Sequence, residues 1–318
     1  MRLTIRKKRL LVRSVALLTV VFILLNGVAA LQAYRFTHFT QGPEAIIKPE
    51  ELSLTQKLLF AVSGVPNPRP INKAKPDLPY KTVRLRSNKS IESWYIPLEG
   101  ARGTVIIFHG YKGDKSSMLD KAAEFRKLGY NTMVVDFMGS GGSEGNQTTI
   151  GFKEAEDVLA CFRYIKAGER HQVLLFGTSM GAAAIMKCLH DNLIKPDGII
   201  LECPFGTMSE TVQARFRSMN FPSFPMASLL MFWGGLENGF WAFSHNPADY
   251  AEKIHVPVLL MYGAKDERVS MSETKEIFER LVGPKQLHTF PGAGHENYLS
   301  RYHPEWVNVV RSFTESIP

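Results

Sequence analysis

A chain of 318 residues with 45% hydrophobic content holds enough apolar material for one large core, or for one domain with an insertion. Its formal charge of +8 is concentrated at one end: Arg2, Arg6, Lys7, Lys8, Arg9 and Arg13 occupy the first thirteen residues without an acid among them, so the remainder is nearly neutral at about +2. That placement, without a basic stripe interleaved with aromatics, argues against nucleic acid as a partner. Three cysteines, Cys161, Cys188 and Cys203, lack C-x-x-C spacing and a nearby histidine cluster, which argues against a zinc site or a disulfide framework. Each stands in apolar sequence and reads as core packing.

Ser14 to Tyr34, SVALLTVVFILLNGVAALQAY, is the first element. Between Arg13 and Arg35 lie 21 residues without a charge, enough for a helix to cross ~30 Å of hydrocarbon. The basic flank predicts a cytoplasmic N-terminus, with everything after Arg35 outside. A secretory signal cleaved near Val28-Ala29-Ala30 is the competing expectation. Residues 1–35 are thus an anchor or a signal, and the remainder is either membrane-tethered on the extracytoplasmic side or exported. Residues 36–80 read as a connector. Leu52 to Val62 has helical apolar spacing with Ser53 as a candidate N-cap. GVPNPRPINKAKPDLP then carries five prolines and predicts an extended strap.

From residue 81 to 318 strands and helices alternate. KTVRLRS and IESWYIP predict two antiparallel strands turning near Asn88. TVIIFHG, TMVVDF, VLLFG, GIILE and VPVLLMYG are short apolar runs of strands buried on both faces, and QLHTF is a further strand. Helical spacing fills the intervals, as in MLDKAAEFRKLGY, FKEAEDVLACFRYIKA, GAAAIMKCLHDNL, SETKEIFERLVG and EWVNVVRSFTESI. The pattern predicts an α/β domain with a mostly parallel eight-stranded sheet and helices on both faces. One interval departs from the rhythm. About fifty residues after Glu202 contain no good strand, and a loop of that length is improbable, so a mainly helical insertion is expected over about residues 203–250.

In such a sheet, ligands sit beyond the carboxyl ends of the strands. His109 and Gly110 follow TVIIF, Asp136 follows TMVV, Ser179 follows VLLFG, Asp266 follows VLLMYG and His295 follows QLHTF. Gly177-Thr178-Ser179-Met180-Gly181 would let strand pass directly into helix and lift the serine clear of the sheet. There the Met180 N–H, at a helix N-terminus, has no intrahelical partner. A serine hydroxyl needs a base, for which His295 is best placed, and a carboxylate to orient that base, for which Asp266 is the candidate. Glu202, at the end of GIILE, is the competing acid.

The motifs IIFHGYKGDKSS, VVDFMGSGGSEG, LLFGTSMGAAA, LLMYGAKDERV and FPGAGHENY, in that order, resemble the α/β-hydrolase fold, and within it serine hydrolases of the esterase, monoacylglycerol-lipase and S33 aminopeptidase type. The resemblance spans roughly residues 81–318. It implies Ser179 as nucleophile, Asp266 as triad acid and His295 as base. It further implies an oxyanion hole from the backbone N–H groups of Met180 and Tyr111, with His109 and Gly110 shaping that loop, and a lid formed by the insertion. Tyr111 stands where many lipases carry a glycine run. The glycine-rich stretch after Asp136 is implied to be structural. The expected activity is hydrolysis of a carboxylic ester, with a small acyl compound as substrate, lipidic or of medium chain length, and with neither cofactor nor metal. A peptidase or an acyltransferase uses the same machinery, and a non-catalytic, membrane-tethered binding protein is the reading from a different class. Oligomeric state is not legible in the sequence.

Overall fold

The apolar runs TVIIF, GIILE and VLLMYG form strands in which every residue is buried, because helices cover both faces of the sheet to which they belong. The computed structural model describes residues 5–41, 53–168, 171–192, 194–218 and 221–317. Eight strands make one sheet in the order β1-β2-β4-β3-β5-β6-β7-β8. They are β1 (Lys81–Arg86), β2 (Ser90–Ile96), β3 (Gly103–Phe108), β4 (Tyr130–Asp136), β5 (Gln172–Thr178), β6 (Gly198–Glu202), β7 (Val258–Gly263) and β8 (Lys285–Phe290). β1 and β2 pair antiparallel, as do β2 and β4, and β4 through β8 are parallel. The mostly parallel sheet expected from the sequence is therefore present, with its antiparallel hairpin at one edge.

Alternate residues of each strand enter separate cores. Ile106 and Phe108 join the helices α4 (Glu154–Gly168) and α5 (Met180–Asn192) on one face. Val105 and Ile107 pack on the other, with Phe125 of α3 (Leu119–Lys127) and with Trp306, Val310 and Phe313 of α11 (His303–Ser316). The chain winds from β3 to β4 in one direction and from β5 to β8 in the other. The reversal opens a crevice between the ends of β3 and β5, where such sheets bind ligands. Between β6 and β7 the insertion is helical, as expected: α6 (Met208–Ser218), α7 (Met226–Asn238) and the short α8 (Pro247–Tyr250). α9 (Met271–Arg280) and the single turn α10 (Tyr298–Arg301) complete the set.

The N-terminal helix α1 runs from Ile5 to Thr37. It is long and apolar enough to cross a membrane. From Arg6 to Leu24 it stands clear of the domain. Beyond that it packs on α7, with Ala29 and Ala33 buried and Ala33 facing Gly234. The Trp233 indole N–H donates to Asn26 Oδ1 at 3.1 Å. The connector helix begins in the described residues at Leu54, as α2 (Leu54–Ser63); Leu52, the rest of residues 42–52, and Arg2 of the basic flank lie outside them. The proline-rich strap is extended and crosses the glycine-rich loop after β4. Gly141 N–H donates to Pro70 O at 2.9 Å, Thr40 N–H to Asn67 O at 2.8 Å, and the Arg69 guanidinium to the carbonyls of Ser143 and Gly145.

Asp136, at the end of β4, is the hub of these connections. Its carboxylate accepts from Lys115 N–H at 2.7 Å, Gly142 N–H at 2.8 Å, Asn72 Nδ2 at 3.0 Å and the Lys115 ammonium. Both charged side chains are fully buried. Removing the Asp136 carboxylate leaves the buried Lys115 ammonium with Glu92 alone, at 2.9 Å, and takes the acceptor from the N–H groups of Lys115, Gly142 and Asn72. Asp136→Ala should therefore lower the unfolding free energy of the purified protein by about 3–5 kcal/mol, read by chemical denaturation; a loss below about 1 kcal/mol would mean that Lys115 finds solvent.

Candidate active site

β5 ends at Thr178 and α5 begins at Met180, so Ser179 alone makes the turn. It does so with φ 51°, in the left-handed region that costs a side-chain-bearing residue energy. Two backbone bonds hold it there: its N–H donates to Glu202 O at 2.7 Å, and its carbonyl accepts from Ala183 N–H at 3.0 Å. The flanking glycines are required by space. A Cβ on Gly177 would lie 2.5 Å from the Gly181 carbonyl carbon, and one on Gly181 would lie 2.6 Å from Phe108 O.

His295, in the loop after β8, reaches this serine. Its Nε2 lies 3.1 Å from Ser179 Oγ, and its Nδ1 lies 2.7 Å from Asp266 Oδ2. The other oxygen of Asp266 accepts from Arg268 N–H at 2.8 Å and Val269 N–H at 3.0 Å, which fixes the carboxylate in its loop after β7. An ionised carboxylate can only accept, so Nδ1 carries a proton, and in the neutral ring Nε2 is left to accept from the serine hydroxyl. Glu202, the competing acid, is occupied elsewhere: Oε1 accepts from the Trp306 indole at 2.7 Å, and Oε2 from the Thr178 hydroxyl at 2.9 Å.

The loop after β3 closes the opposite side. Gly110 lies against Thr178 O and Ser179 Cβ. His109 is fully buried, with Nδ1 2.8 Å from Gly110 O and Nε2 accepting from Phe137 N–H at 3.2 Å. Burial lowers its pKa, so a neutral imidazole pins the β3 loop to the β4 loop. Among the described residues, the backbone N–H groups of Met180 and Tyr111 are left without a hydrogen-bond acceptor. The Tyr111 side chain is tied to the N-terminal helix. Its hydroxyl donates to Phe36 O at 2.8 Å and accepts from Asn67 Nδ2 at 3.0 Å, while its ring stacks on Phe36 at 4.9 Å. Burial pushes this phenol up to about 12, so it remains a donor.

Cys203 departs from the expectation of plain packing. It is buried, as expected, but it follows β6 with φ 40°, and its sulfur joins donor atoms of Asp266 and His295 that all lie within 4.8 Å of one another. Those three donors are a set that a metal ion would use, although both imidazole nitrogens are engaged by Ser179 and Asp266. The sequence did hold a signal, because Cys203 stands immediately past a strand end like the other site residues. Burial draws the His295 imidazole down, but the Cys203 sulfur and the Asp266 carboxylate outweigh it and raise its pKa above 6.5.

Comparison with known proteins places these residues in context. The family described as serine aminopeptidase, S33, matches residues 99–236. An uncharacterized protein of Bacillus subtilis, YqkD, is 27% identical over 233 residues, covering 71% of this chain and 76% of that one. The zebrafish lysophosphatidylserine lipase ABHD12 is 26% identical over 208 residues, which is 61% of this chain and 51% of the relative. Among solved structures, a Pyrococcus furiosus esterase superposes with a TM-score of 0.67 at 24% identity, over 78% of this chain and 96% of its own.

The crowding at the turn gives a direct test. Gly181→Ala forces a methyl group against the carbonyls of Phe108 and His109 and should cost about 1–3 kcal/mol of stability, measured by urea unfolding. An unchanged midpoint would mean that the β3 loop yields.

Proposed function

We propose that this chain, which has the α/β-hydrolase fold and matches the serine aminopeptidase S33 family over residues 99–236, is a serine hydrolase cleaving a carboxylic ester through an acyl-enzyme. The observation that carries this reading is the continuous relay from Ser179 Oγ to His295 Nε2 at 3.1 Å and from His295 Nδ1 to Asp266 at 2.7 Å. Ser179 Oγ attacks the ester carbonyl carbon as its proton passes to His295 Nε2. The carbonyl oxygen becomes an oxyanion and accepts from the N–H groups of Met180 and Tyr111, an interaction worth about 3 kcal/mol per donor. Collapse of the tetrahedral intermediate expels the alcohol, which takes the proton from His295. A water molecule then attacks the acyl-enzyme, gives its proton to His295 and releases the acid, and the imidazolium returns the proton to Ser179. Asp266 holds the imidazole in the required tautomer and stabilises the imidazolium in both halves of the cycle.

An acyl chain of lipidic or medium length agrees with the apolar lid, where Phe232, Leu236, Trp241 and Phe243 are exposed, and with the lipase activity for which the zebrafish relative is named. The S33 description of the matching family favours a peptidase as second reading. The same triad serves amides, and the two separate on substrates alone. We further propose that α1 is an uncleaved anchor, with the domain on the extracytoplasmic side. Five cations precede the apolar run within the helix, and its later turns pack on α7, with Ala29 and Ala33 buried.

Ser179→Ala should abolish ester turnover and fluorophosphonate labelling while the protein still unfolds cooperatively; retained turnover would sink the proposal. The raised imidazole pKa sets a further test. His295 must be neutral to accept the serine proton, so kcat/KM is lost as pH falls through its pKa. The ascending limb of the pH profile should therefore be centred above 6.5, and a limb centred below 6.5 would contradict the assignment.

A further inference from the structure

Buried cations in the domain have carboxylates beside them. Lys115 meets Glu92 and Asp136, and even the more exposed Arg280 meets Asp249, Glu252 and Glu276. Among the described residues, three exposed cations on the elements that bound the Ser179 crevice have no such partner and stay open to an incoming anion. Lys112 follows Tyr111 in the loop after β3, Arg215 stands on the lid helix α6, and Arg268 lies two residues past Asp266 after β7. They stand on three separate elements; Lys112 and Arg215 meet at the Tyr111 ring, and Arg268 is near enough for its charge to act on both. The Arg215 guanidinium lies 4.5 Å from the ring centre of Phe36 and 6.0 Å from that of Tyr111, and the Lys112 ammonium lies 5.6 Å from the Tyr111 ring. Among the described residues, no carboxylate is within ion-pairing distance of any of the three. All three side chains remain accessible to solvent.

Like charges gathered in this way raise each other's energy unless an anion joins them. The consequence is visible at Lys112, which is drawn down to about 8, first by burial and then by the charges of Arg215 and Arg268. The faces of two aromatic rings offset only part of that repulsion. We propose that Lys112, Arg215 and Arg268 form an anion subsite at the mouth of the crevice, and that the preferred substrate is an acyl ester bearing a phosphate or carboxylate group. The inference rests on the reading of Ser179 as the nucleophile. Lys112 is adjacent in sequence to Tyr111, whose N–H is assigned to the oxyanion, so the anion and the scissile carbonyl are held within one small headgroup of each other. Two guanidinium forks supply the planar donors that phosphate and carboxylate accept in pairs.

The test uses the full-length protein in neutral detergent and two substrate pairs, each matched in acyl length: monoacylglycerol against lysophosphatidic acid, and 4-nitrophenyl butyrate against 4-nitrophenyl hemisuccinate. The anionic member of at least one pair should show about tenfold higher kcat/KM, carried by KM, and the advantage should shrink with added salt. Preference in the first pair alone identifies a lipid headgroup; preference in the second as well identifies any anionic ester. Arg215→Gln and Arg268→Gln should each reduce the anionic-to-neutral ratio, the latter without disturbing the stack on Phe36. Equal rates within both pairs, or a ratio unchanged in both variants, overturns the subsite. Failure to hydrolyse any ester would instead overturn the hydrolase reading, so binding is measured separately. Dodecyl phosphate should bind Ser179→Ala about tenfold more tightly than it binds Ser179→Ala/Arg215→Gln, followed by tryptophan fluorescence; equal affinity overturns the subsite whatever the esters do.

Discussion

The constraint on which the site depends is a turn with no residue to spare. β5 and α5 are separated by Ser179 alone, and the direction of the chain can reverse there only if that residue accepts a left-handed backbone. The conformational cost, of order 1–3 kcal/mol, is met by the surroundings: the hydrogen bond to Glu202 O, the first bonds of α5, and two glycines that let helix, strand and the β3 loop touch backbone to backbone. With the turn fixed, the hydroxyl position is fixed, and the loops after β7 and β8 need only deliver a carboxylate and an imidazole to a point already defined.

The buried polar groups around this point are second in importance but similar in logic. Glu202, Asp136 and His109 each stand at the carboxyl end of a strand, and each has its polar atoms satisfied by neighbouring loops or helices. They brace loops, and each buried charge or dipole is stabilised by partners that would be stranded without it.

Much of this was legible in the sequence. Apolar runs of five or six residues announced the parallel strands because both faces are covered, and a polar residue after each run marked the end where a site forms. The motif LLMYGAKDERV favoured Asp266, but Glu202 remained a competitor because both follow strands; in the fold Glu202 is occupied by the Trp306 indole and the Thr178 hydroxyl. The cations were not readable as a group. Positions 112, 215 and 268 share no period, and only the placement of the helical insertion brings Arg215 to the Tyr111 ring beside Lys112. The contact of Phe36 and Asn67 with Tyr111 was hidden for the same reason. It joins the N-terminal helix, a strap and a loop that no local pattern connects.

That contact has a mechanical consequence. The end of α1 is bonded through Phe36 O to the side chain of Tyr111, and the preceding turns are packed on α7. With α1 as the membrane anchor proposed above, no slack separates the bilayer from the mouth of the crevice, and the domain is mounted rigidly rather than tethered on a leash. Such a mounting fixes the height of the mouth above the lipid. Encounters would then occur in two dimensions, counted per area of membrane, and a substrate delivered by the leaflet would be met far more often than one at equal bulk concentration in water.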